Sequence, residues 1–130
     1  MTPLEEAQAY FAGDRFATEN GAVIEELGEN YAVCTMTLTD SHRNALGNVM
    51  GGAMFTLADF AFAVASNFGR KATVSTVSQI TFLRPARGNL LRARAEMVRQ
   101  GRTSVYYEVS VTDESGNLVA RVTASGAVIG

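Results

Sequence analysis

Apolar residues sort the chain into helical and extended stretches, and one stretch differs from the rest. From Gly51 to about Asn67 the sequence runs GGAMFTLADFAFAVASN, without proline and rich in helix formers. Met54, Phe55, Leu57, Phe60, Phe62 and Val64 go most of the way round a 3.6-residue wheel, which predicts a helix buried on most sides. One carboxylate, Asp59, sits in the middle of it. Burying an unpaired carboxylate is costly, so Asp59 needs a partner, a proton or access to a cavity. The helix opens on Gly51 and Gly52, where backbone N–H groups have no acceptor within the helix.

The remaining pattern is mostly period two. Residues 3–12 predict a short helix, with Thr2 as N-cap, Pro3 in the first turn and Glu5 and Glu6 near the positive end of the dipole. Leu4, Ala7, Tyr10 and Phe11 share one face, Gly13 ends the helix, and residues 14–20 read as polar and irregular. A hairpin is predicted from strands at 23–27 and 31–38 around Gly28-Glu29-Asn30. In the second strand Ala32, Cys34, Met36 and Leu38 alternate with Tyr31, Val33, Thr35 and Thr37. Residues 39–50 form a polar loop leading straight into the central helix, and loops of that length in a compact domain are often functional. Gly69 suits the C′ position, with Arg70 and Lys71 at the negative end. Four more strands follow at 73–83, 91–98, 104–112 and 118–125, separated by Arg84-Pro85-Ala86-Arg87-Gly88 and by turns at 99–103 and 113–117. Strand and helix do not alternate regularly, which argues against a doubly wound parallel sheet. The order predicts an α+β fold in which one antiparallel sheet of about six strands curls round the central helix. Such a sheet has two open edges, which a dimer can pair.

Composition narrows the function. At 130 residues the chain fits a single domain, 1–130. A net charge of −2 with 18% charged residues lacks the basic excess of a nucleic-acid binder. The apolar stretch 49–65 carries Asp59 and lacks a basic flank, so no membrane span is expected. The start, Met-Thr-Pro-Leu-Glu-Glu, has neither the basic region nor the apolar run of a signal peptide. The single cysteine, Cys34, has no partner for an internal disulfide and reads as core in a reducing, cytoplasmic compartment. One histidine and one cysteine do not make a common zinc site with each other, and no metal or separate cofactor is expected.

Asn44-Ala-Leu-Gly47-Asn-Val-Met50-Gly51-Gly52-Ala-Met-Phe-Thr-Leu57-Ala58-Asp59 closely resembles the signature of the hotdog-fold acyl-CoA thioesterases, nearest to the phenylacetyl-CoA thioesterase branch. Ile80-Thr-Phe-Leu-Arg84-Pro85 and Gln100-Gly101-Arg102-Thr103 add to the resemblance, which covers about residue 38 to the end. It departs at one place: the family's histidine before Gly-Gly is Met50 here, and the only histidine, His42, lies upstream in the same loop.

The resemblance implies hydrolysis of an acyl- or aryl-acyl-CoA thioester by a homodimer or dimer of dimers, with coenzyme A entering as part of the substrate. By the same resemblance Asp59 acts across the dimer interface as general base or nucleophile, the Gly51 N–H donates to the oxyanion, and Asn44 orients water or thioester. The alternative for Asn44 is an Asx-turn, and for Gly51-Gly52 a hinge that allows close packing. Met50, Gly52, Met54 and Phe55 would wall an apolar acyl pocket. Ser75 and Thr76 match a position where some relatives carry a water-holding hydroxyl, on a strand full of such residues. Arg84 and Arg102, flanked by Gly101 and Thr103, match positions near the nucleotide, and Arg87 joins them as a candidate phosphate partner. Each of these arginines also reads as an ordinary solvated strand end. His42 is expected to be a solvated or loop-bonding side chain, with partial replacement of the missing histidine as a further hypothesis. The rival functions are a non-catalytic acyl-CoA or fatty-acyl binder, a hotdog dehydratase and a structural dimerisation module.

Overall fold

Half-polar strands must bury one face, and the apolar helix supplies the surface that covers it. The computed structural model describes residues 1–130. In chain order the elements are α1 (Pro3–Phe11), α2 (Arg15–Glu19), β1 (Ala22–Gly28), β2 (Tyr31–Thr37), a 3₁₀ turn (Asp40–His42), α3 (Gly51–Asn67), β3 (Thr73–Phe82), β4 (Leu90–Gln100), β5 (Ser104–Asp113) and β6 (Leu118–Val128). The strands make one six-stranded sheet in the order β1-β2-β4-β5-β6-β3, with every pair antiparallel. α3 connects β2 to β3, and β3 lies at the far edge beside β6. The helix packs against all six strands. Register shifts at Ile24/Glu26, Ser75/Val77, Met97/Arg99 and Val111/Thr112 bend the strands around it.

The core forms where helix and sheet meet. Leu57, Ala58, Ala61 and Val64 of α3 are fully buried with Cys34 and Met36 of β2, Leu91, Ala93 and Ala95 of β4, and Val109 and Val111 of β5. Alanines on β4 leave room for the helix to come close. Phe62 meets Tyr107 edge-on at 5.3 Å between ring centroids, and the Tyr107 hydroxyl donates to the Ala65 carbonyl at 3.4 Å. Burial of Leu57 alone stabilises the fold by about 2–3 kcal/mol. Cys34 belongs to this core, and burial, with the nearby Glu25 charge, pushes its thiol pKa up to about 12.

α1 forms as its caps predict. Thr2 Oγ1 accepts from Glu5 N at 3.1 Å, and Glu5 Oε1 accepts from Thr2 N at 2.9 Å. Its Ala7 and Phe11 are buried, and Phe11 meets Phe60 edge-on.

Two expectations need correcting. Residues 14–20 are not irregular: Arg15–Glu19 form α2, because Ala17 can bury against the core while its neighbours stay outside. The loop 39–50 also has internal structure, a 3₁₀ turn and a bridge between Arg43 and Val49. Gly69 takes φ +68° just beyond α3, the left-handed conformation that favours glycine there. No helix is long and apolar enough to cross a membrane.

Candidate active site

α3 is apolar all round but is not covered all round. Gly52, Phe55, Thr56, Asp59 and Ala63 recur at helical spacing and form its partly open strip, on which Gly52 and Asp59 are exposed. Asp59 is therefore not the enclosed mid-helix acid that periodicity suggests. The sheet takes the other faces, and α2 covers this one only in part.

Around Asp59 lies a cavity of about 500 Å³ lined by Asp14, just before α2, by Phe16 of α2 and by Phe55, Thr56, Phe60 and Ala63 of α3, among others. No hydrogen bond or ion pair engages the Asp59 carboxylate. Its pKa is raised from the ordinary value, first by desolvation among these side chains and then by the negative charge of Asp14.

The helix N-terminus has a different construction. Met50 N–H donates to the His42 carbonyl at 2.8 Å, and the Met50 carbonyl accepts from Ala53 N at 3.0 Å. No side chain caps the helix, so the Gly51 and Gly52 N–H groups remain available at the positive end of the dipole. The Phe82 ring lies directly over Gly51; a Cβ there would sit 2.6 Å from Phe82 Cζ. Only glycine fits beneath the ring in this position. Gly51, Met54, Phe82, Arg84 and Pro85 line a groove of about 420 Å³ that does not include Asp59. A third cavity, of about 230 Å³, is lined by Met50, Gly52, Thr56, His42 and again Phe16.

The loop holds its shape through Asn44 and His42. Asn44 Oδ1 accepts from Leu46 N at 3.0 Å and Asn48 N at 3.1 Å, which is the Asx-turn alternative. This uses the carbonyl oxygen and leaves the exposed Nδ2 free to donate outward. His42 is buried, not solvated. Its Nδ1 accepts from Thr39 N at 2.9 Å, which places the proton on Nε2, and Nε2 donates to the Asn20 carbonyl at 2.5 Å. With both nitrogens engaged, His42 ties the loop to the end of α2 and has no free nitrogen with which to replace the missing histidine.

The other candidates are dispersed. Ser75 and Thr76 lie exposed on edge strand β3, where Thr76 Oγ1 donates to the Ser125 carbonyl at 3.1 Å. Arg84 is exposed near the Gly51 groove and reaches Asn117 Oδ1 at 3.4 Å. Arg87 is anchored by its backbone N–H, which donates to Asp113 Oδ2 at 2.9 Å, with its guanidinium in solvent. Gly101 closes the β4–β5 turn by donating to the Ser104 carbonyl, and the Thr103 carbonyl accepts from Val128 N. Arg102 shares a depression with Ser66, Arg70 and Lys71 at the opposite end of α3 from Gly51. Within one chain the three arginines thus do not form a single basic rim. Arg70 does not simply complement the dipole; it donates to the Glu29 carbonyl and to Asn30 Oδ1, holding the β1–β2 turn. Sequence reading missed Asp14 and Phe16. The available signal was an Asp in an N-cap position, followed at short range by Phe16 and Ala17.

The profile of the thioesterase superfamily matches residues 46–120. Acyl-coenzyme A thioesterase PaaI of Escherichia coli K12 is 35% identical over 117 residues, covering 89% of this chain and 84% of that protein. This chain belongs to the thioesterase superfamily. Its fold is accordingly the hotdog, as the sequence resemblance implies. The structure of the E. coli PaaI protein from the phenylacetic acid degradation operon superposes with a TM-score of 0.91 at 32% identity, over 98% of this chain and 94% of that one. A hypothetical thioesterase from Streptococcus pneumoniae, solved with coenzyme A, superposes with a TM-score of 0.84 at 27% identity, over 92% of this chain and 97% of that one. The stretch matched to the superfamily contains both Gly51 and Asp59, while Asp14, Phe16 and Asn44 lie outside it.

Proposed function

We propose that this chain is a thioester hydrolase that cleaves acyl- or aryl-acyl-CoA to the free acid and coenzyme A, and that its active site is shared by two copies. The observation that carries the shared site is a spacing. Gly51 and Asp59 are eight residues apart on α3, so their backbone positions are separated by about 12 Å along the axis. An oxyanion donor and an attacking group must each lie about 3 Å from atoms of the same carbonyl. Within one chain they also face different cavities. The site is complete when Gly51 of one protomer faces Asp59 of the partner subunit.

In that site the Gly51 N–H, at a helix N-terminus, stabilises charge developing on the thioester oxygen. Asp59 takes a proton from the attacking water, and the tetrahedral intermediate collapses to the free acid with loss of the coenzyme A thiolate; if Asp59 attacks the carbonyl itself, loss of the thiolate leaves a mixed anhydride that water then hydrolyses to the free acid and the Asp59 carboxylate. Its raised pKa makes it a better base than an ordinary aspartate. The free Nδ2 of Asn44 orients water or substrate. Met50, Gly52, Met54 and Phe55 wall the acyl group, and flexible methionines tolerate several shapes. Arg84 and Arg87 meet the phosphates of the nucleotide from the Gly51 side, and Gly101, Arg102 and Thr103 do so from the far end of the helix. Ser75 and Thr76 remain candidates for holding water from edge strand β3. The copies meet along β3, and two such dimers form the tetramer, working in the cytoplasm, where the buried Cys34 thiol stays reduced.

The test is turnover of a panel of acyl-CoAs, followed by trapping the released thiol. Wild type should hydrolyse at least one aryl- or medium-chain acyl-CoA, and Asp59→Asn should lose about a hundredfold or more in kcat, the scale of a positioned base. Binding without turnover in wild type would identify a carrier or sensor instead.

A further inference from the structure

Two carboxylates share the larger cavity, one from each helix that lines it: Asp59 of α3 and Asp14, the residue preceding α2. Asp14 stands where an aspartate normally caps a helix by accepting from its second or third N–H. It does not cap: its side chain makes no hydrogen bond there, and only its backbone carbonyl accepts, from Thr18 N at 3.0 Å and Thr18 Oγ1 at 3.1 Å. Its carboxylate is thus not committed to its own helix. The other charge on the cavity, Arg15, is turned along α2, where its Nε donates to Glu19 Oε2 at 2.6 Å. The strands packed against α3 contribute no charged residue to this cavity, and its remaining lining includes Phe16, Phe55 and Phe60. Within one chain Asp14 is therefore the charge left facing Asp59 without a counter-ion. Both carboxyl groups have raised pKa values, Asp14 through desolvation and Asp59 through desolvation and then the charge of Asp14.

We propose that Asp14 is a positioning residue for the reaction: its negative charge, held across the cavity by α2, sets the pH at which Asp59 becomes a competent base. The inference rests on the reading of Asp59 as the base or nucleophile and adds the element that controls it. α2 lies outside the stretch matched to the superfamily, so this control belongs to the N-terminal segment of the chain rather than to the Gly-Gly…Asp region. The coupling is modest because both carboxylates are open to water on one side. It also has a fixed sign, since a neighbouring negative charge favours the protonated acid.

The experiment compares pH profiles of kcat/KM for wild type, Asp14→Asn and Asp14→Glu, together with a ¹³C NMR titration of the Asp59 carboxyl. Removing the charge should move the acidic limb and the Asp59 titration together to lower pH by about half a unit. Asp14→Glu should restore most of the wild-type position. Raising the salt concentration should move the wild-type limb in the same direction and leave that of Asp14→Asn in place. A limb and an Asp59 titration that do not move in a folded Asp14→Asn variant overturn the proposal, as does a shift to higher pH. If the NMR titration shifts but Asp59→Asn retains full turnover, the coupling stands and the reading of Asp59 as catalytic is what fails.

Discussion

The two edges of the sheet are finished in opposite ways. β1 is closed within its own chain: α1 and α2 pack on it, and the Gln8 side chain donates to the Ile24 carbonyl at 2.9 Å. A bulge at Ile24/Glu26 and the charges of Glu25 and Glu26 complete the defence against a further strand. β3 pairs only with β6, and it exposes Val74, Val77 and Phe82, with Leu83 just beyond. The same Phe82 covers Gly51. In the proposed dimer the difference means that assembly and catalysis share one surface. The unpaired edge strand also supplies Phe82 to the groove at Gly51, so the proposed pairing of two copies along β3 would bring each Gly51 toward the partner's strip of α3.

A matched pair of substitutions breaks this comparison most severely. Val77→Lys on β3 should split the assembly and lower kcat/KM by about a hundredfold or more, since each site then loses its positioned base. Val23→Lys on β1, equally a lysine at an exposed strand valine, should leave both within about twofold. Size-exclusion chromatography with light scattering, run beside the thiol-trapping assay, reads the two effects together. Loss of activity in the β1 variant with an intact dimer would contradict the assignment of roles to the edges.

Gly51→Ala should have the next largest effect. The new methyl displaces the half-exposed Phe82 ring and crowds the carbonyl of the substrate, so kcat/KM should fall by about tenfold or more. The melting temperature should stay within a few degrees, because alanine is no worse than glycine in a helix and the ring can swing outward. Asn44→Ala removes an acceptor for two loop N–H groups and the outward-facing amide together. A drop of about tenfold in kcat, with little change in KM, is expected if the amide orients the reacting groups.

The smallest effect is on stability in acid. Asp113 holds the segment between β3 and β4 in place by accepting from Arg87 N, and it also accepts from Ser115 N and Asn117 N. Burial works to raise its pKa, but these hydrogen bonds outweigh burial and hold it below the ordinary value of 3.8. The folded value lies below the unfolded one, so its stabilisation is present above about pH 4 and is lost as the pH falls through the folded value. Thermal melts should show wild type losing more stability than Asp113→Asn on going from pH 5 to pH 2.

Most of the fold was legible because it rests on periodicity: the alternation in β4 and β5 survives as buried and open faces, that in β2 and β6 survives except at Val33 and Val119, which are buried on the other face, and α3 keeps its predicted bounds. The segment 14–20 was not legible, because a five-residue helix shows too little periodicity and forms through tertiary packing of Ala17. The exposure of Asp59 was missed for a related reason. An apolar helix wheel does not reveal which side the sheet leaves open. The loop was read correctly as polar and its Asn44 as an Asx-turn candidate, but the burial of His42 depends on Asn20, 22 residues away in sequence.

The measurement that most directly tests the shared site is complementation between two impaired variants. Asp59→Asn and Gly51→Ala chains are mixed, unfolded and reassembled, and the acyl-CoA hydrolysis of the mixture is compared with that of each alone. In a mixed dimer one site combines the intact Gly51 of the first chain with the intact Asp59 of the second, while the other site carries both defects. Random reassembly makes half the dimers mixed, so about a quarter of wild-type activity should return. A mixture no more active than the average of its two components would show that Gly51 and Asp59 act within one chain.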